Sequence, residues 1–77
     1  MSPITLEIFN QLGFDNSQEK NLIILQHRQK PTLYAKIILS PYSISPMIQL
    51  MQGSHTYKET TLNLLLFTDI SSWIASA

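Results

Sequence analysis

The sequence has no cysteine, which excludes disulfide bonds, thiol nucleophiles and thiolate metal sites. Small secreted domains usually depend on disulfides, so we expect a chain of 77 residues without them to be cytoplasmic. The sequence also shows no basic and apolar leader, and no apolar run approaches the roughly 18 residues of a membrane span. These absences predict a protein that is neither secreted nor embedded in a membrane.

Charged residues are scarce as well. Five basic and five acidic residues make up 13% of the chain and cancel at neutral pH, whereas about a quarter of the residues are charged in an average protein. A neutral chain attracts a phosphate backbone only weakly, and a net charge near zero favours self-association. We therefore expect a surface covered by uncharged polar side chains or by another protein chain.

Groups that could carry out catalysis are few and scattered. The chain has only two glycines, too few for a phosphate-binding loop, and none of its serines lies in a Gly-x-Ser-x-Gly motif. The acidic residues occur singly, without a partner at a spacing that would let two carboxyls share a proton. His27 and His55, even with Glu59 nearby, lack the spacing of a metal site, and we interpret both as turn residues. We therefore predict no enzymatic activity, no cofactor and no metal.

The apolar fraction, 44%, is typical of a folded domain, and the length allows one hydrophobic core. We therefore treat residues 1–77 as a single small α+β domain. Its first element is predicted to be a helix over residues 3–12. Ser2-Pro3 fits the start of a helix, apolar residues recur every four positions, and Gly13 fits its end. A turn is predicted at residues 15–17.

The next segment, residues 21–28, is predicted to be a strand. Residues 22–25 are apolar on every side, which is typical of a buried strand and leaves no helical stripe. Asn16 and Glu19 also fit a capping box, so a helix over this segment is the alternative. Residues 32–40 alternate between apolar and polar side chains, and they predict a second strand that forms a hairpin with the first.

Two helix signals and one more strand complete the prediction. Ser45-Pro46, followed by apolar residues and Gly53, predicts a helix over residues 45–53. Residues 56–67 predict a third strand, and Thr68 or Asp69 then caps a last helix in which three apolar residues share a face. Those residues are Ile70, Trp73 and Ile74. The predicted chain order is α-β-β-α-β-α, with helices on a three-stranded sheet of order 2-1-3.

The leucine-rich end of the third strand is the predicted contact surface. In the order 2-1-3 this strand lies at an edge, and a long apolar edge strand invites pairing with another chain. The predicted interface residues are Leu62, Leu64, Leu65 and Phe67. We accordingly predict a non-enzymatic interaction or regulatory module that acts by contact with a protein partner or by self-association as a homo-oligomer.

The alternative function is nucleic-acid binding by the predicted hairpin around residues 27–36. Basic side chains beside aromatic ones can neutralise phosphates and stack on bases. The residues of this alternative site are His27, Arg28, Lys30, Tyr34 and Lys36. The neutral charge of the whole chain makes it the weaker of the two predictions.

Overall fold

The computed structural model describes residues 5–42 and 44–77. These residues form a helix, five strands and a second helix in that order, and all five strands belong to one antiparallel sheet of order β1-β2-β3-β4-β5. The elements are α1 (Leu6–Gln11), β1 (Phe14–Glu19), β2 (Leu22–His27), β3 (Leu33–Ile38), β4 (Met47–Gln52), β5 (His55–Thr61), a 3₁₀ turn (Leu62–Leu64) and α2 (Phe67–Ser76).

The α+β class is consistent with the prediction, but the three-stranded sheet of order 2-1-3 and the chain order α-β-β-α-β-α are wrong. The sheet has five strands, and each strand pairs with its neighbours in the chain. One missing strand is β1, which includes the predicted turn at residues 15–17. All of its residues except Phe14 are exposed. This strand lies at the edge of the sheet, and its side chains therefore show no alternation of apolar and polar residues that would have predicted it.

The second missing strand is β4, which replaces the predicted helix over residues 45–53. Ser45-Pro46 resembles a helix start, but the segment after it pairs with β3 on one side and with β5 on the other. Ile48 and Leu50, which alternate along the strand, are fully buried. Gly53 has a φ of +59° and lies in the turn between β4 and β5, where a left-handed conformation is required, rather than at a helix end.

The predicted third strand, residues 56–67, is also wrong in its second half. Strand β5 ends at Thr61, and the chain then turns off the sheet as the 3₁₀ turn. The amide of Leu62 donates to the Pro46 carbonyl at 2.7 Å, and Leu65 enters the core with 3% of its surface exposed. Helix α2 begins at Phe67, slightly before the predicted caps.

The central hairpin is confirmed. Strand β2 covers most of the predicted strand 21–28, strand β3 covers most of 32–40, and the two pair antiparallel. The first helix is shorter than predicted, at Leu6–Gln11, and the predicted start at Ser2-Pro3 lies outside the described residues. Gly13 follows this helix with a φ of +96°, which confirms the prediction that the helix ends before it.

Both helices pack on the same face of the sheet. The buried cluster joins α1, the sheet and α2, and its members are Phe9, Phe14, Leu25, Leu33, Ala35, Ile37, Ile48, Leu50, Leu65, Ile70 and Trp73. Trp73 stacks on Phe14 with ring centroids 5.2 Å apart, and Phe14 meets Phe9 edge-on at 5.6 Å. The predicted common face of the last helix is confirmed, because Ile70 and Trp73 are fully buried there and Ile74 packs against the cluster.

The start of α2 is attached to the sheet by one carboxylate. The Asp69 carboxylate accepts the amide N–H of Leu66 at 2.9 Å and pairs with the Lys58 ammonium of β5 at 2.9 Å. The Leu66 amide, followed by the Lys58 ammonium, holds the pKa of the Asp69 carboxyl below its ordinary value of 3.8, against the opposing effect of burial. Asp69 therefore stabilises the folded chain only while it is ionised.

The pair Leu64 and Leu65 tests where the chain leaves the sheet. Leu65→Lys places a charge in the core and should cost about 3–5 kcal/mol, as much as the whole stability of a domain this small. Leu64→Lys, at a side chain that is 67% exposed, should change the free energy of unfolding by about 0.5 kcal/mol or less. Urea titration followed by circular dichroism measures both; a stable Leu65→Lys variant would contradict the core position.

Asp69→Asn tests the attachment of α2 and its dependence on pH. The variant should lose about 1 kcal/mol at neutral pH, where the carboxylate pairs with Lys58. Because folding lowers this pKa, the difference from the wild type should persist above pH 3.8 and vanish as pH falls through the folded value. Urea titrations across this range measure the difference. Lys58→Met is the matched control, since Asp69→Asn should destabilise the Lys58→Met variant less than it destabilises the wild type. An equal difference in the free energy of unfolding at every pH would contradict a lowered pKa for Asp69.

Candidate protein-docking face

The sheet has a second face, opposite the helices. Side chains alternate between the faces of a strand, and the pattern in β3 is clear: Leu33, Ala35 and Ile37 are buried under the helices, so the residues between them point the other way. Register extends this assignment to the neighbouring strands. We call this second surface the open face, and on the three central strands its residues are Leu22, Ile24, Gln26, Tyr34, Lys36, Ile38, Met47, Gln49 and Met51.

One end of the open face is apolar. Leu22, Ile38 and Met47 lie directly opposite one another on three successive strands, and Ile24 is the next open-face residue along β2. We call these four residues the apolar corner. Ile38 is 39% exposed and the other three are half-buried. Within the described residues, both helices contribute to the core on the opposite side of the sheet, so neither covers this corner.

The other end of the open face is held rigidly by side-chain bonds. The Tyr34 hydroxyl donates to the Gly53 carbonyl at 2.8 Å, which ties the ring to the turn between β4 and β5. Met51, opposite Tyr34, is only 7% exposed, and the Thr56 hydroxyl donates to its sulfur at 3.4 Å. This end therefore presents a fixed aromatic ring.

Lys36 lies between these two ends, at the centre of the open face. Its neighbours across the strands are Ile24 and Gln49, and it is half-buried. Its ammonium lies 6.0 Å from the centre of the Tyr34 ring. Among residues 5–42 and 44–77, the ion pairs are Arg28–Asp15 and Lys58–Asp69, so Lys36 has no carboxylate within salt-bridge distance there.

Negative charge on this face is confined to the sheet margins. Alternation places Glu19 of β1 opposite Leu22, and Glu59 of β5 opposite Gln49. With Asp15 of β1, which lies opposite Gln26 and pairs with Arg28, the open face therefore combines a central cation, an apolar corner beside it and three carboxylates on the outer strands. Such a surface offers both apolar contact and one positioned charge to a ligand.

The residues of the predicted nucleic-acid site do not come together. His27 belongs to the helix-covered side, where its ring meets Phe14 edge-on at 4.9 Å. Its Nδ1 accepts the amide N–H groups of Gln29 and Lys30, each at 3.2 Å, so it shapes the turn after β2.

Arg28, in the same turn, is already paired, since its guanidinium lies 2.6 Å from Asp15. Of the five predicted residues, Tyr34 and Lys36 are the two that lie side by side on the open face. Lys30 is exposed in the turn beyond the end of β2.

The residues of the predicted interface are also divided. Leu65 is in the core and Leu62 packs against it, whereas Leu64 in the 3₁₀ turn and Phe67 at the start of α2 are 67% and 52% exposed. None of the four lies on a strand. The prediction missed the apolar corner, although its signal was present: residues 22–25 are apolar on both sides, which indicated a strand whose two faces both make apolar contacts.

Hollows lie on both sides of the sheet. One, of about 220 Å³, is apolar and lies between α1 and the sheet; it is lined by Thr5, Leu6, Phe9, Ile23, Ile37, Leu39, Pro46 and Leu62. Another, of about 400 Å³, lies beside the Arg28–Asp15 ion pair at the margin of the open face and includes Ile24 and Gln26. In the described part of the chain, no three His, Asp or Glu side chains are grouped so that they could hold a metal ion.

Comparisons with protein-family models, with curated proteins and with solved structures each found no match to this chain. None of the helices in the described ranges has both the length and the apolar character needed to cross a membrane. The open face is the candidate functional site because three apolar side chains are aligned across its central strands and neither helix of the described residues covers them.

Proposed function

We propose that this protein is a non-enzymatic interaction module that acts by contact with a protein partner, or by self-association, through its open face. The observation that supports this proposal is the apolar corner. Three of its side chains are aligned across three strands, and one of them is 39% exposed. Removing apolar surface from water is the main favourable term in protein association. Interaction sites are commonly marked by contiguous apolar patches rimmed by polar residues.

The polar groups of the chain also favour a contact role over catalysis. His27 accepts two amide N–H groups in a turn, and Asp69 joins the start of α2 to β5. Arg28 and Asp15 neutralise each other. Each of these groups has a structural role that accounts for its position, and a catalytic site needs several polar groups converging on one point.

Nucleic-acid binding is the second candidate, and one observation favours it. A half-buried lysine beside a tyrosine ring on a sheet is a pair that can bind a phosphate and stack on a base. The neutral charge of the chain and the pairing of Arg28 leave this candidate with few cations. Its salt-dependent affinity would therefore be low.

Ile38→Lys tests the proposed function, with Leu64→Lys in the exposed 3₁₀ turn as the matched control. Both variants add one positive charge at an exposed leucine or isoleucine. Proteins captured by the wild-type chain should also be captured by Leu64→Lys. Ile38→Lys should bind these proteins at least about tenfold more weakly. A tenfold loss of affinity corresponds to a loss of only about 1.4 kcal/mol of binding free energy. Quantitative mass spectrometry of the captured proteins, together with light scattering for self-association, gives the result.

Three outcomes would overturn or redirect the proposal. Equal capture by all three proteins would place the contact elsewhere on the surface. No capture, together with a scattering mass of 8.8 kDa for the wild type, would contradict a contact function altogether. Co-purified nucleic acid that is lost on Lys36→Ala would favour the second candidate.

A further inference from the structure

We propose that the open face binds one short amphipathic segment of a partner protein, and that Lys36 pairs with an Asp or Glu carboxylate which that segment presents between apolar side chains. This inference rests on the proposed function and names the chemistry of the partner. Four properties of the described residues support it: the environment of Lys36, the dimensions of the sheet, the distribution of charge and the spacing along β3.

The environment of Lys36 calls for an anion. The side chain is half-buried, with Ile24 and Gln49 opposite it, and no carboxylate of the described residues is within salt-bridge distance. Covering the open face would remove more water from this ammonium. An ammonium that loses water must be paired, because a buried charge without a partner is strongly unfavourable. A partner that covers the apolar corner must therefore also supply negative charge beside it.

The dimensions of the sheet fit a segment rather than a large domain. Five strands about 4.8 Å apart span about 19 Å, and six residues at about 3.4 Å each span about 20 Å. The face thus measures about 19 Å by about 20 Å. A single helix is about 10 Å wide and covers 20 Å in about 13 residues.

The distribution of charge argues against a second copy of the chain as the occupant. A two-fold axis through the middle of the open face would bring Lys36 towards the same residue of the other copy. The carboxylates of Glu19 and Glu59 lie on the outer strands, away from that axis. Like charges brought together in this way oppose association, whereas a partner with a central carboxylate is complementary.

The spacing along β3 suggests the sequence of the partner. Ile38 and Lys36 are two residues apart on one face, which is about 6.7 Å. Residues four apart on a helix are separated by about 6 Å along its axis. A helix lying along β3 would therefore place an apolar side chain on the corner and an acidic side chain, three or four positions away, on Lys36.

The experiment is a selection from a random peptide library displayed on phage, with the full chain immobilised. Peptides of about 16 residues are long enough to cross the face as a helix. The library is selected in parallel on the wild type, on Lys36→Glu, on Lys36→Met and on Ile38→Lys, each first shown to be folded by circular dichroism. Lys36→Met keeps the side-chain length and removes the charge, so it remains informative if Lys36→Glu fails to fold.

The wild type should enrich peptides in which Asp or Glu lies three or four positions from a large apolar residue. Lys36→Met should lose the acidic preference, and Lys36→Glu should replace it with Lys or Arg. In a synthetic copy of an enriched peptide, changing the acidic residue to its amide should raise Kd about fivefold for the wild type and leave it unchanged for Lys36→Met. That ratio corresponds to about 1 kcal/mol.

The selection distinguishes an error in the pairing of Lys36 from an error in the location of the docking face. Apolar peptides without an acidic preference, lost on Ile38→Lys but equal for the wild type and Lys36→Met, would overturn the pairing and leave the docking face intact. Peptides that bind Ile38→Lys as well as the wild type, or no enrichment at all, would overturn the docking face itself. Enrichment of basic peptides by the wild type would contradict the charge argument.

Discussion

The stacking of Trp73 on Phe14 is the contact on which the arrangement of the sheet and helices depends. Phe14 is the first residue of β1 and Trp73 lies in α2, so a single ring contact at 5.2 Å joins the first strand to the last helix. The indole N–H donates to the Met51 carbonyl at 3.1 Å, which also attaches α2 to the end of β4. Phe9 of α1 also packs on the Phe14 ring, so both helices are held on one face of the sheet.

The open face is a direct consequence of that arrangement. The described residues form two helices, and because both cover the side of Leu33, Ala35 and Ile37, no helix among them covers the other side. The hydrophobic core then lies on one face of the sheet, which is common for an antiparallel sheet. What is unusual for a solvated face is that Ile38, Leu22 and Met47 occupy it in a row. The apolar corner thus has no role in the core that would explain it.

The sequence predicted the parts of the fold that local pattern determines. The block at residues 22–25 and the alternation at 32–40 predicted β2, β3 and their hairpin. Strand β1 was missed because it is a strand through its pairing with β2, and its side chains do not show an apolar alternation. Strand β4 was missed because Ser45-Pro46 and the methionines fit a helix locally, and only pairing on both sides overrides that preference. The candidate site could be predicted only in part: the apolar block at residues 22–25 indicated apolar contacts on both faces of β2, but which face stays open depends on where Trp73 packs.

Neighbouring residues of β3 face different environments, with Ile37 in the core and Ile38 on a face open to solvent. Solvent paramagnetic relaxation of isoleucine methyl groups tests this difference directly, in a methyl-labelled sample with a soluble gadolinium chelate, diluted until the chain is a monomer. Ile37 and Ile38 are 2% and 39% exposed, so the Ile38 methyl signal should relax several-fold faster than that of Ile37. Ile44, which is fully exposed, gives the upper reference and Ile48 the lower one. Equal enhancement at Ile37 and Ile38, or protection of Ile38 at the level of Ile48, would contradict an open face.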